Sequence, residues 1–450
     1  MFTAFFRKVS FEAHLVLNFV LRLILILYGD FMDQHSEVPF TDIDYKVITV
    51  GAKHVLDGRS PYKSHTYRYS PLLAYLVIPN HLLQRNCGKI IFVFFDLAVG
   101  VLIRSIVNNE YRIIYHKNAQ VMLEALPVGQ RKGAKGRMEE AVETVLRKKK
   151  SKMAELCAYL WLYNPLTMVI ATRGNGDAIA SFLILMALYF VQKPRLSVAN
   201  CILAGIFHAI AIHFRLFPIA FSLPYYLSVS GKSFKTTKEI LGGILSPNTR
   251  QVTLVVATVG TLVSITGIFY TMYGQEFLQE TYLYHLTRKD VRHNFSVFFY
   301  MQYLRANVPG SVLDKIFTTT PGLLVLLALS LTFGSKRQTL SFCLFAQAFT
   351  MVTFNSVVTS QYFVWFLALL PISAKNVSRM GAKSAIAYTV LWFLAQAAWL
   401  LSAYLLEFKG WNTFEFIWLQ GLMFFTVNIF ILQRLIVNYH TPSELAPKQK

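Results

Sequence analysis

Charged side chains are scarce in this chain, and acidic ones scarcest. Asp and Glu number 23 against 44 Lys and Arg in 450 residues, and the four types together make only 15%. A soluble chain of this length would divide into two or three domains with charge over every surface, so that class is excluded. Cysteine is rare too: of Cys87, Cys157, Cys201 and Cys343, three fall in apolar runs, leaving neither a disulfide framework nor a metal-ligand spacing. No internal repeat of the kind that marks many transporters is visible.

Apolar sequence is what the chain has instead. Hydrophobic residues make up 54%, in blocks near 20 residues long, and a bilayer core of about 30 Å takes roughly 20 helical residues to cross. Because backbone amides in lipid must be satisfied within the segment, such blocks are read as helices. Twelve are expected to span: 12–29, 89–108, 154–171, 177–192, 197–213, 216–230, 251–273, 320–334, 338–358, 361–374, 385–406 and 413–433. The first lacks a small-residue cleavage site and is expected to stay as an anchor. A further apolar stretch, 70–84, is interrupted by Pro71, Pro79, Asn80 and His81 and suits a helix lying at the membrane surface.

The net charge of +21 does not point to nucleic acid, because it is dispersed over short loops between spans rather than gathered on one face. Basic loops favour the cytoplasm. With the N-terminus inside, twelve spans put Arg147-Lys148-Lys149-Lys150, Lys193 and Arg195, Lys232 to Lys238, Lys336-Arg337, Lys375 to Lys383 and the C-terminal tail on that one side. Anionic lipid headgroups are the secondary partner for these loops. The chain is thus expected to be one transmembrane domain, 1–450, with a first outer loop 31–88, a basic cytoplasmic loop 109–153 and a second outer loop 274–319. Within 117–152, Glu143 four residues before Arg147 suggests a short exposed helix.

Chemistry-bearing residues gather on the outer side. Thr41-Asp42-Ile43-Asp44-Tyr45 opens the first loop, and Ile48, Ala52 and Val55 follow at helical spacing, predicting an amphipathic surface helix. An Asp in that place could simply cap the helix; its alternative is a carboxylate acting as general base or substrate clamp. Arg59, Tyr62, Tyr67-Arg68-Tyr69 and Pro71 share the loop. Arg173-Gly174-Asn175-Gly176-Asp177 reads as a tight turn, His213-Phe214-Arg215 as a hairpin whose Arg could snorkel, and Arg288 to Ser296 and Thr359-Ser360-Gln361-Tyr362-Phe363 complete the set. Asp96 and Arg104 lie inside the second span, where ionisable groups are costly and are functional or paired; eight residues of helix, about 12 Å, keep them from pairing with each other. Carboxylates with cations at outer helix ends suit an enzyme acting on an anionic lipid-linked substrate. A secondary transporter would place ionisable groups near the midplane, and a non-catalytic scaffold has no need of paired carboxylates.

The strings FTDIDYKV (40–47), DGRSPY (57–62), TYRYSPLL (66–73), RGNGD (173–177), RHNFSVFFY (292–300) and TSQYFVWF (359–366) resemble the GPI mannosyltransferase 1 family and run through most of the chain in order. The family usually carries Lys and Tyr where Arg215 and Phe217 stand, and the 117–152 segment is longer than the family's loop. The resemblance implies an all-α GT-C membrane fold with surface helices in the first lumenal loop. It implies transfer of mannose from dolichyl phosphate mannose to glucosaminyl-phosphatidylinositol, inositol-acylated in some lineages, by an inverting displacement giving an α-1,4 linkage in the lumen of the endoplasmic reticulum. The termini would be cytoplasmic. Another dolichol-linked glycosyltransferase is the nearest alternative. A small accessory subunit with one membrane span is implied as partner; no metal ligand set is, and no cofactor beyond the lipid-linked co-substrate.

The family's Asp-X-Asp motif falls on Asp42 and Asp44, with Asp44 favoured as base. Arg215, Arg288, Arg292 and His293 are the expected phosphate ligands, and Arg68, Tyr69, Arg173, Asn175, Asp177, Gln361 and Tyr362 the expected substrate contacts. Asn294-Phe295-Ser296 is a formal glycosylation sequon expected to be buried and bare, while Asn376-Val377-Ser378 faces the cytoplasm.

Overall fold

The structure is a computed structural model describing residues 9–145, 151–232, 236–287, 292–307, 312–377 and 379–440. Arg288 and the basic run Arg147 to Lys150 lie outside the described residues. Among those described the chain is all-helical, without a strand.

Helix α1 (Phe11–His35) starts at Ser10, whose hydroxyl accepts the Ala13 amide. Next come α2 (Ile43–Leu56) and two short pieces, α3 (Pro71–Leu76) and α4 (Pro79–Leu82). Pro79 lacks an amide hydrogen and ends α3 before it can lengthen. From Pro71 to Leu82 the chain reaches about 18 Å at the helical rise, less than the roughly 30 Å of a bilayer core. Helix α5 (Cys87–Glu124) is 38 residues long and outruns the expected 89–108. Its second half has neither Gly nor Pro to stop it, so it continues into the basic segment, where α6 (Val128–Val145) follows as the expected extra helix.

The apolar run 154–171 is two helices, α7 (Ser151–Leu162) and α8 (Pro165–Thr172), because Asn164 caps the Leu166 amide and Pro165 restarts the chain. α9 (Asp177–Val191) leaves α8 at 119°. Then follow α10 (Val198–Phe214), α11 (Ser222–Val229), α12 (Thr237–Leu245), α13 (Thr249–Leu278) and α14 (Tyr284–Thr287). α15 (Phe299–Leu304), α16 (Val312–Phe333), α17 (Arg337–Thr353), α18 (Phe363–Leu367), α19 (Leu370–Ala374), α20 (Ala382–Lys409) and α21 (Phe414–Val437) complete the order. Gly205 lets α10 and α13 touch: a Cβ there would stand 2.8 Å from the Leu254 carbonyl.

Five helices among the described residues are long and apolar enough to cross a membrane (α1, α5, Thr249–Leu283, α20 and α21), and the bent α8–α9 pair brings the number to six. Pro71–Leu82, Val198–Phe214, Phe217–Val229 and Thr318–Phe333 are apolar but shorter. Twelve comparable spans were the expectation. Pro165, Pro218 and Pro371 begin new pieces inside three of those runs, which composition alone leaves continuous, and α9, α10 and α17 extend only 15, 17 and 17 residues. Broken backbone at membrane depth is tolerated where protein covers it; α17, buried along nearly its whole length, is part of that cover.

Ionisable groups inside the bundle are paired between helices. Arg22, fully buried on α1, donates from Nε to Asp96 Oδ2 at 2.6 Å and from other nitrogens to Asn18 Oδ1 at 2.9 Å and the Leu162 carbonyl at 3.1 Å. One guanidinium thus ties α1 to α5 and caps the carbonyl end of α7. Arg104 reaches Glu155 at 3.1 Å, so Asp96 and Arg104 each find another helix rather than one another. Toward the other end, Glu110 takes Lys375 and Ser341 as buried partners.

Candidate active site

Helix α2 begins at Asp42, whose backbone is extended (φ −62°, ψ 140°) and whose carboxylate accepts the Asp44 amide at 3.1 Å. Tyr45, Ile48, Gly51 and Ala52 form its buried face, matching the apolar spacing of the sequence. The two readings of the motif therefore divide between its acids. Asp42 is the cap, and Asp44 sits in the first turn with its carboxylate committed elsewhere.

That destination is built by the Arg173–Asp177 turn. The Arg173 carbonyl accepts the Asp42 amide at 2.9 Å. Gly174 has φ +93°, and a Cβ there would lie 2.5 Å from Tyr45 Cγ, so only glycine lets the turn close onto α2. Asn175 accepts the Asp177 amide at 2.9 Å and donates from Nδ2 to Gln361 Oε1 at 3.0 Å. Gln361 in turn donates from Nε2 to Asp44 Oδ2 at 3.3 Å. The Tyr69 phenol lies close enough to Asp44 for the carboxylate to act on its hydroxyl. Behind it, Arg215 lies 5.3 Å from the Tyr69 ring centroid and ion-pairs through Nε with Asp177 Oδ1 at 2.8 Å. Tyr362 stacks on Trp365 at 4.4 Å, and Trp365 on Phe217 at 3.9 Å. Residues more than 300 positions apart thus converge on one pair of carboxylates.

Electrostatics bears on Asp42 and Tyr69. Burial, and then the neighbouring Asp44 carboxylate, push the Asp42 carboxyl above its usual range, against the opposing pull of the Asp44 amide and Arg173. Burial and the adjacent Asp44 hold the Tyr69 hydroxyl well above the ordinary phenol range, so it stays a proton donor. A carboxylate held by the Gln361 amide and bordered by the Tyr69 phenol, with lone pairs left over, is equipped to take a proton from a hydroxyl. Among the described residues no group of three or more His, Cys, Asp and Glu side chains is gathered that could hold a metal ion. All four cysteines are free.

The site brings together Asp42, Asp44, Tyr69, Arg173, Asn175, Asp177, Arg215, Gln361 and Tyr362. The remaining expected residues are placed differently. Arg68 pairs with Glu280 and lies 4.6 Å from the Tyr284 ring centroid. His293 pairs with Glu407 of α20 at 3.1 Å, and Arg292 is exposed. Asn294 is buried, as its sequon was expected to be: its Oδ1 accepts the Ser296 and Val358 amides at 2.9 and 3.2 Å, which holds the loop leading to Gln361.

Sequence reasoning missed the contact of the first loop with the end of α13. Tyr62 and Thr281 hydroxyls meet at 2.7 Å, Ser60 donates to Glu276 at 3.1 Å, and His213 bridges Ser70 at 2.8 Å and Tyr282 at 2.6 Å. Phenols and hydroxyls in helix-poor sequence leave no periodic signal to follow. A cavity of about 400 Å³ beside α2, lined in part by Asp30, Asp33, Thr41, Arg85 and Lys89, was missed as well.

A family model described as Mannosyltransferase (PIG-M) matches residues 170–436. The chain is 36% identical to the GPI alpha-1,4-mannosyltransferase I catalytic subunit of Danio rerio, over 93% of this chain and 95% of that protein. It is 34% identical to GPI mannosyltransferase 1 of Dictyostelium discoideum, covering 94% and 91%, and 34% identical to that of Saccharomyces cerevisiae, covering 95% and 96%. The chain belongs to the PIG-M mannosyltransferase family of membrane glycosyltransferases.

Proposed function

We propose that this membrane enzyme is the α-1,4-mannosyltransferase of glycosylphosphatidylinositol assembly, using dolichyl phosphate mannose as donor and glucosaminyl-phosphatidylinositol, with or without inositol acylation, as acceptor. The names of its relatives carry the reaction and the glycolipid class. The observation that supports a site for it is the ring of Asp42, Asn175, Gln361, Asp44 and Tyr69, which presents one fixed carboxylate at the mouth of the bundle.

The donor is β-linked and the product α-linked, so a single in-line displacement suffices. Asp44 takes the proton from the glucosamine 4-hydroxyl as its oxygen attacks the anomeric carbon, while Gln361 and Tyr69 keep the carboxylate aimed. The electron pair of the breaking bond leaves on the phosphate oxygen, which needs positive charge more than a proton. Asp42 holds α2 in place and, with Asn175 and Asp177, shapes the acceptor side. Around this site we assign the GT-C architecture with twelve crossings, several of them short and broken. Its active face looks into the lumen of the endoplasmic reticulum, its termini lie in the cytoplasm, and a single-span accessory subunit accompanies it.

The test is transfer in detergent extracts of membranes expressing the chain, with radiolabelled dolichyl phosphate mannose or GDP-mannose as alternative donors. Labelled mannosyl-glucosaminyl-phosphatidylinositol should form from the lipid-linked donor alone. Transfer directly from GDP-mannose, with dolichyl phosphate mannose inert, would overturn the assignment.

A further inference from the structure

Displacement at the anomeric carbon changes the charge of the leaving group. In a lipid-phosphate-sugar the phosphate is a diester with one negative charge; once the sugar–oxygen bond has broken it is a monoester approaching two. A site for this reaction therefore needs a cation that is uncommitted before the donor arrives and engages more strongly as the bond breaks.

Most cations of this face are already committed. Arg215 is spent on Asp177 at 2.8 Å, with Asp177 fully buried. Arg68 is paired with Glu280 and His293 with Glu407. Arg173 differs in its charge partner: both it and Arg215 have a buried Nε without a well-aligned hydrogen bond, but Arg215 Nε still lies 2.8 Å from Asp177 Oδ1, whereas among the described residues no carboxylate lies within ion-pair distance of Arg173. Its backbone is nonetheless fixed. It is the C-cap residue of α8, its amide bonds the Val169 carbonyl at 2.9 Å, and its own carbonyl accepts the Asp42 amide at 2.9 Å. A helix C-terminus favours a cation, which stabilises the charge there without consuming its donors. The same turn carries Asn175, the partner of Gln361, so the backbone that holds Arg173 is tied by hydrogen bonds to the candidate base.

We propose that Arg173 is the residue that binds the phosphate of the lipid-linked donor, and that Arg215 acts as a positioning residue that holds Asp177 behind Tyr69. The proposal rests on the reading above, that the donor is a lipid phosphate sugar. In the balanced step the acceptor oxygen bonds to the anomeric carbon and its proton passes to Asp44. The sugar–phosphate bond breaks with its electron pair on the phosphate oxygen, and the new charge falls against the Arg173 guanidinium.

The experiment compares the full chain with Arg173→Gln and Arg173→Lys, in detergent, by thermal shift with dolichyl phosphate and with uncharged dolichol, alongside mannose transfer. The wild type should be stabilised by dolichyl phosphate and not by dolichol. Arg173→Gln should melt normally without ligand, need roughly 10- to 100-fold more dolichyl phosphate for the same shift, and keep its acceptor KM; Arg173→Lys should recover part of the difference. If Arg173→Gln responds to dolichyl phosphate as the wild type does, the proposal is wrong. Unchanged lipid binding with a displaced pH profile of transfer would overturn the proposal and leave Arg173 acting only through its pull on Asp42. A wild type that binds the lipid phosphate but transfers no mannose from its mannosyl ester would overturn the reading of the reaction while leaving the phosphate site standing.

Discussion

Asp44→Asn distinguishes a catalytic carboxylate from a structural one. The side chain of Asp44 does not cap α2, because Asp42 does. Its structural worth is limited to a negative charge in a first helical turn, about 0.3–1 kcal/mol, and to one hydrogen bond from Gln361 at 3.3 Å, which the carbonyl oxygen of Asn can still accept. The like charge of Asp42 nearby opposes even that contribution. The variant should therefore accumulate and melt within about 1 kcal/mol of wild type. An amide cannot take a proton from an attacking hydroxyl, and a positioned general base contributes roughly 10²–10⁴-fold to rate. Mannose transfer, measured on equal amounts of solubilised protein with saturating donor and acceptor, should drop by that factor with little change in either KM. Transfer above a tenth of wild type would refute the role of Asp44, and a variant that fails to accumulate would show that the structural estimate is wrong.

Three further outcomes follow from the geometry. The Asp42 carboxyl is raised in the folded chain, so its contribution to stability is complete below the ordinary carboxylate range and is lost as pH rises through the folded value. Asp42→Asn keeps the cap, removes that loss and should melt at or above the wild-type temperature at neutral pH, with acceptor KM raised; a lower melting temperature would contradict the electrostatic account. Arg22→Met leaves Asp96 as an unpaired buried charge and should cost about 3–5 kcal/mol, seen as lost abundance and partly restored by adding Asp96→Leu; equal abundance of both would mean the pair is dispensable. A single reporter cysteine at 130 should be labelled from the cytoplasmic side and one at 36 from the lumenal side, and labelling of both from one side would break the topology.

The sequence made some of this legible and hid the rest for physical reasons. Turns and caps are local, so the helix after Asp42, the tight Arg173–Asp177 turn and the interruption at Pro79 could be read directly. The continuity of spans could not. Hydropathy averages over a window and passes through Asn164-Pro165, whereas the backbone breaks there. α5 shows the opposite error, since a helix can outlast its apolar run when nothing stops it. Pairing across the bundle was invisible for Asp96, yet His14, Asn18 and Arg22 recur at four-residue intervals inside an apolar run and are all buried. That spacing marks one polar stripe on α1 and could have pointed to a buried partner. At the site the membership of the set was readable but not its wiring. Arg215 and Arg173 look alike as loop cations, and only the fold shows that one is bound to Asp177 while the other has no ion-pair partner among the described residues.

The most direct measurement is the linkage and anomeric configuration of the product that the wild-type chain forms from dolichyl phosphate mannose and synthetic glucosaminyl-phosphatidylinositol. The account predicts one mannose in α configuration on the glucosamine 4-hydroxyl, released by α-mannosidase, with formation abolished by Asp44→Asn. A β-linked product, which signals retention, or an α product still formed at the wild-type rate by Asp44→Asn, would contradict it.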